Sequence, residues 1–276
     1  MNKSSRILST SCITIAIVLV TGCSSIVQKP QVNAVHKAAI VSLYANEKVP
    51  NADGLGVVND WDDHVRMEVA EDALVTFANE LQVTGWKLVN PDSVIQSKEY
   101  QDAFAVSDKV ADSKMGKFVS LMQNVYRRQF FTPAGMWPIQ LDDKEANTRY
   151  FGDAAKSNPK QRLADMAKKL GVDAVIIVQL DYCYDGGMLS MLGTGQAVMT
   201  AASSIKAVDR NGDVVINMPN PTMCGGDRGK SDTSAVMVKG NLEFTHVAKD
   251  RFKKMFIEAT RASARVTVAE IQKAMN

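Results

Sequence analysis

Ser157-Asn158-Pro159-Lys160-Gln161-Arg162-Leu163-Ala164-Asp165-Met166-Ala167-Lys168-Lys169-Leu170-Gly171-Val172-Asp173-Ala174-Val175-Ile176-Ile177-Val178-Gln179-Leu180 carries a whole helix and most of the strand after it. Ser157 or Asn158 offers a side-chain oxygen to the first free N–H groups. Pro159 fits the first turn, where no N–H is needed. Leu163, Met166, Ala167 and Leu170 recur at helical spacing and give one apolar face. Lys168 and Lys169 suit the negative end of the helix dipole, and Gly171 ends the helix. The run from Ala174 to Tyr184 then reads as a long strand. Its first half is apolar on both faces, which places it centrally in a sheet covered on both sides. A capped helix leading into a doubly covered strand indicates an α/β fold, here with an α+β tendency.

On the N-terminal side, Ala38 to Tyr44 reads as a buried first strand. Asp62 to Thr84 reads as a helix with Met67, Ala70, Leu74, Phe77 and Leu81 on its inner face; Asn59 or Asp60 caps it and Gly85 stops it. Trp86 to Val89 is a short strand closed by Asn90-Pro91. Residues 92–156 form a helical and loop insertion, with short helices around Val94–Phe104 and Lys114–Tyr126. The stretch is rich in aromatics, among them Tyr126, Phe130, Phe131 and Trp137, with Arg127 and Arg128 between them. A binding surface is one reading. A small satellite core is favoured, because large aromatic rings stabilise mainly by burial.

On the C-terminal side, Gly186 to Ile205 lacks charge. It is too broken by glycine for a membrane helix and becomes a strand over Ala197–Val208. Asn211-Gly212 marks a hairpin turn into a strand over Asp213–Met218. Pro219 to Asp232 is a loop. Asn241 to Met275 is a long final helix with a buried stripe of Phe244, Ala248, Met255, Ala259, Ala262 and Val266. The expected architecture is a single mixed sheet with helices packed on it.

The other informative stretch is Leu19-Val20-Thr21-Gly22-Cys23. Lys3 and Arg6 form a positive start, and Ile13 to Val20 an apolar run too short to span a bilayer comfortably. The pattern resembles the lipobox of bacterial lipoproteins. That resemblance implies a signal peptide over residues 1–22 and a lipid on Cys23. Ser24 follows where a sorting aspartate would otherwise stand, which implies the periplasmic face of the outer membrane. Residues 23–37 then read as a polar tether reaching at most about 50 Å, and residues 38–276 as the α/β domain.

The formal charge is +2, with Lys3 and Arg6 in the segment to be removed. A near-neutral chain gives no reason to expect nucleic acid. Cys12 leaves with the signal peptide. Cys183 and Cys224 remain in an oxidising compartment, where a pair is expected to form a disulfide. Two chain reversals after Cys183 are expected to return Met218 to the same end of the sheet, within reach of such a bridge. The glycine-rich loops thereby brought together form the expected partner surface: Gly186, Gly193 and Gly195 on one, Gly225, Gly226, Arg228 and Lys230 on the other.

Other chemistry is weak. Cys224 to Ser231 imitates a phosphate loop but has Cys where the first Gly belongs, and prolines precede it. Gly193-Thr194-Gly195 lacks the third glycine of a dinucleotide fingerprint. Asp181 and Asp185 are expected to be solvated at a strand end. His36, His64 and His246 have no metal-like spacing. No cofactor, metal or catalytic residue is expected.

The order of elements, with KKLGVDAVIIVQL followed by SSIKAVDRNGDVV, resembles the small α/β domain of envelope lipoproteins of the CsgG, LpoB and TolB N-terminal kind. The resemblance covers roughly Ala38–Trp86 and Pro159–Met275. It implies a non-enzymatic protein that binds or assembles envelope components, a protein partner or peptidoglycan. The alternatives are a periplasmic hydrolase and a secretion-channel subunit with Gly186–Thr200 in the membrane.

Overall fold

A computed structural model of the protein describes residues 26–46, 63–104, 130–141, 158–185, 196–218, 236–241 and 249–276. In chain order the elements are β1 (Ile26–Val27), α1 (Lys29–Asn33), β2 (Lys37–Asn46), α2 (Asp63–Gln82), β3 (Lys87–Leu88), α3 (Pro91–Gln96) and α4 (Lys98–Phe104). There follow β4 (Phe130–Phe131), α5 (Pro159–Lys169), β5 (Ala174–Asp185), β6 (Gln196–Asp209), β7 (Val214–Asn217), β8 (Val236–Asn241) and α6 (Lys249–Met275).

The strands form one mixed sheet in the order β1-β7-β6-β5-β2-β3, with β4 on β2 and β8 on β6. β2 runs parallel to β3 and β5, and the other pairings are antiparallel. β5 is internal, as its apolar sequence demands. Ile176, Val178 and Leu180 point to one face, where α2 and α6 pack, and Val175 and Ile177 to the other, beneath α5. The α/β expectation holds: helices cover both faces of a mixed sheet, and a long helix ends the chain.

The caps also fall where the residues require them. The Asn158 side chain accepts from the Lys160 N–H at 3.0 Å. Gly171 adopts φ +64. The Val172 N–H reaches back to the Ala167 carbonyl at 3.0 Å, which closes the Schellman motif.

β2 carries a bulge between Ile40 and Ser42. Ala38, Ile40, Leu43 and Ala45 belong to one apolar cluster, and Ala39, Val41 and Tyr44 to the other, so the alternation slips by one at the bulge. The freed polar groups are taken up by the insertion. The Tyr100 hydroxyl donates to the Val41 carbonyl at 3.0 Å and accepts from the Trp137 N–H at 2.9 Å. The Ser42 hydroxyl donates to the Trp137 carbonyl at 2.8 Å and accepts from the Ile139 N–H at 2.9 Å. The described part of the insertion is therefore not a satellite: Tyr100, Phe104, Ile139 and Leu141 join Val175 and Leu163 in the core of the second face. Arg127, Arg128 and the helix expected at Lys114–Tyr126 lie outside the described residues.

Four further expectations need correction. Residues 26–37 are not a free tether. Ile26 and Val27 pair with β7, Val32 is fully buried, and the Lys29 ammonium donates to the Asn276 carbonyl at 2.6 Å. Polar composition hid this, because the docking uses backbone pairing and only a few apolar side chains. The stripe on α6 is rotated by about 100°, one residue step. Phe256, Thr260, Ser263, Ala264, Thr267, Val268 and Ile271 are buried alongside Met255 and Ala259, whereas Ala262 and Val266 are half-exposed. Met67 stands just outside the buried arc of α2 and is 36% exposed. A strand not expected at all, β8, lies against β6 before the last helix. Phe244, Ala248 and the expected caps of α2 lie outside the described residues.

Candidate functional site

All seven residues of the expected partner surface, Gly186, Gly193, Gly195, Gly225, Gly226, Arg228 and Lys230, lie outside the described residues, as do Cys23 and Cys224. Cys183 is in β5, opposite Thr200. The route expected toward it needs correcting. β7 pairs only with the last part of β6, and the Met218 N–H meets the Ile205 carbonyl, opposite Val178. Val178 is five residues before Cys183, about 17 Å along the strand. It is β8 that returns the chain to the level of Cys183, with Met237 opposite Thr200. β7 and β8 thus lie in line along one edge of β6.

Asp181 is not solvated. It is 4% exposed and belongs to a polar row on the second face of the sheet. The register sets Gln179 opposite Ser204, Asp181 opposite Ala202 and Lys206 opposite Ile177. Ser204 and Lys206 are also buried. The Tyr44 hydroxyl donates to Gln179 Oε1 at 3.0 Å, and the Ser204 hydroxyl donates to the Met218 carbonyl at 3.2 Å. This row stands at the carboxyl ends of the parallel pair β2 and β5, the position where open α/β sheets usually take ligands. Asp181 and Lys206 are separated by about 13 Å along the strand direction. The row spreads its polar groups rather than converging them on one reacting atom. Among the described residues no three His, Cys, Asp or Glu side chains gather as metal ligands. His64 is exposed on α2, with its ring 3.6 Å from Glu68.

Two concave surfaces stand out among the described residues. One, about 230 Å³, lies between α4 and α5 over Phe104, Leu163 and Met166, with Glu99, Asp102 and Asp165 at its rim. Arg162 lines it too, and burial lowers its pKa from the ordinary guanidinium value. The other, about 620 Å³, straddles the β3 edge of the sheet. α2 forms one wall with Val75 and Ala78, and α3 the other with Ile95. Leu88 of β3 lies between them, and Pro133 and Ala134 close one side. Among the described residues, Glu71 and Asp92 are the charged ones that line it. Val75 is 58% exposed, a large apolar group left in solvent and more open than Met67 on the same helix.

The sequence reading missed both the row and this edge groove. The signal for the row was present: Gln179 and Asp181 alternate with Leu180 and Tyr182 in a strand whose first half is apolar throughout. The groove had none, because its walls meet only in three dimensions.

Against protein-family models, curated proteins and solved structures alike, the chain finds no match. Among the described residues no helix is long and apolar enough to cross a membrane.

Proposed function

We propose that this protein is a lipid-anchored envelope lipoprotein, held at the periplasmic face of the outer membrane through Cys23, that works by binding or assembly and not by turnover. The lipobox pattern supports the anchor, and the resemblance to envelope-lipoprotein domains supports the binding role. The observation that carries the reading furthest is the docking of the N-terminal segment. Ile26 already pairs with β7. Three residue steps separate it from Cys23, a span of at most about 10 Å. A lipid there would hold the β1 edge of the sheet against the bilayer. β3 ends the strand order on the opposite side, five strand spacings or about 24 Å away. Such an anchor would turn the edge groove toward the periplasm, where a partner could reach it.

The test is Cys23→Ala expressed beside the native chain. The native protein should carry a diacylglyceryl-modified Cys23 by mass spectrometry and fractionate with outer membranes, and the variant should accumulate unprocessed. Normal maturation of the variant, with no lipid on the native protein, would refute the anchor. The binding role is tested separately, by crosslinking in intact cells and by assay against ester, phosphate and peptidoglycan substrates. Turnover abolished by one Asp or His substitution would refute it.

A further inference from the structure

We infer that the groove at the β3 edge binds an extended peptide segment that alternates apolar and cationic side chains, as an added strand. This assignment rests on the binding role proposed above, not on the lipid anchor.

The floor of the groove is a strand edge. The Lys87 and Val89 N–H groups both turn inward, to the carbonyls of His36, just before β2, and Ala38 within it, at 2.8 and 2.9 Å. Alternation then turns the Leu88 N–H and carbonyl outward. Among the described residues no strand pairs with that side of β3. Outward edge groups are a template for another strand, and main-chain pairing supplies affinity in that mode of recognition.

The walls select the side chains. Successive residues of an added strand point to opposite sides. Here one side meets Val75 and Ala78 of α2 together with Ile95 of α3, which packs against the same apolar cluster as α2, so apolar side chains suit that side. The rim carries Glu71 on α2 and Asp92 on α3, and among the described residues no basic side chain lines the groove. With apolar side chains turned to that cluster, the alternate side chains meet an acidic rim, which favours cations there and repels an acidic peptide.

The probe is an acetylated, amidated hexapeptide of alternating valine and lysine. It is added to the full chain purified in detergent, and fluorescence anisotropy and the Leu88 amide resonance are followed. Saturable binding with a shift at Leu88 is expected. The matching valine–glutamate peptide should bind at least tenfold more weakly. Methylating every second peptide nitrogen should abolish binding in one phase and spare it in the other, since only one edge of an added strand pairs. Glu71→Arg should weaken the lysine peptide at least fivefold. Leu88→Pro should abolish binding with an unchanged circular dichroism spectrum, because it deletes an outward donor and no ladder bond. Equal binding of both peptides, indifference to methylation in both phases, or no binding at all overturns the assignment. A dimer that Glu71→Arg dissociates would place a second copy in the groove and also overturn it. None of these results bears on the anchor, which is read from the lipid on Cys23.

Discussion

The Tyr182 hydroxyl lies 2.5 Å from the Thr260 hydroxyl, both fully buried between β5 and α6. Thr260 gives its own proton to the Phe256 carbonyl at 2.7 Å. The phenol is therefore the donor of the pair. Phe131 stacks on the Tyr182 ring at 5.5 Å, and Phe256 meets it edge-on at 4.9 Å. Replacing Thr260 by Val removes the acceptor to which the buried phenol donates here. The expected cost is about 1–3 kcal/mol, read from urea denaturation. Adding Tyr182→Phe should recover part of it, since both ends of the bond are then apolar.

Burial pushes the Tyr182 phenol above its usual range. In the unfolded chain the phenol ionises near pH 10. Its neutral form thus favours folding fully below that pH, and the contribution is lost as pH rises through the folded value. Alkaline unfolding above about pH 10 should be shallower in Tyr182→Phe than in the native chain.

Asp173 behaves in the opposite sense. Burial raises its pKa, but the Lys37 and His36 N–H groups, at 2.9 and 3.0 Å, and the Arg210 guanidinium outweigh burial and hold the carboxyl below its usual range. This stabilisation is complete above the unfolded value near pH 4 and is lost as pH falls through the folded one. Asp173→Asn should cost about 1–2 kcal/mol at neutral pH and flatten the acid limb of a stability–pH curve.

Ser42→Ala tests the bulge. It would strand the buried Ile139 N–H and remove the donor to the Trp137 carbonyl. A loss of about 1–3 kcal/mol in chemical denaturation is expected. The same substitution at exposed Ser93 should fall within about 0.5 kcal/mol of neutral.

Gly135 adopts φ +75, and a Cβ there would lie 2.7 Å from the Ile95 side chain. Both strain and collision oppose Gly135→Ala. It should lower the thermal midpoint well beyond the effect of an ordinary surface substitution, and through Ile95 it should also reshape the groove.

The elements legible in the sequence were those with local signatures. α5 announced itself by Asn158, Pro159 and Gly171, β5 by its doubly apolar run, and the β6–β7 turn by Asn211-Gly212. In that turn Gly212 adopts φ +91 and Asp209 accepts from the Asn211 and Asp213 N–H groups at 2.8 and 2.9 Å. What escaped was set by partners far along the chain. Thr260, Ser263 and Thr267 look like a solvent face until Tyr182 and Ser203 are placed opposite them, with Ser203 2.8 Å from Ser263 and 2.6 Å from Thr267. Asp181 looked like a strand-end acid, but the sheet runs past it to Asp185. β1 and β8 are too short or too polar to signal a strand by pattern, and they exist because a neighbour offers a free edge.

Cys183 and Cys224 remain a testable pair. β8 brings the chain to the level of Cys183, with β6 between them. Mass mapping under non-reducing conditions should find the two cysteine peptides joined. Two free thiols in protein taken from the periplasm would exclude the bridge.

β7 and β8 occupy one line beside β6, the first ending near Ile205 and the second resuming at Ala201. The four-residue gap is about 13 Å, so Met218 and Val236 stand close in space although seventeen residues separate them in sequence. A junction of that kind is modular. A linker of three residues from Met218 to Val236, opposite Ser204, Ser203 and Ala202, would let both pieces zip into one continuous strand, and the cost of closing the longer loop grows only with the logarithm of its length. This site could therefore be emptied, or loaded with a foreign sequence, while the sheet beneath keeps its register.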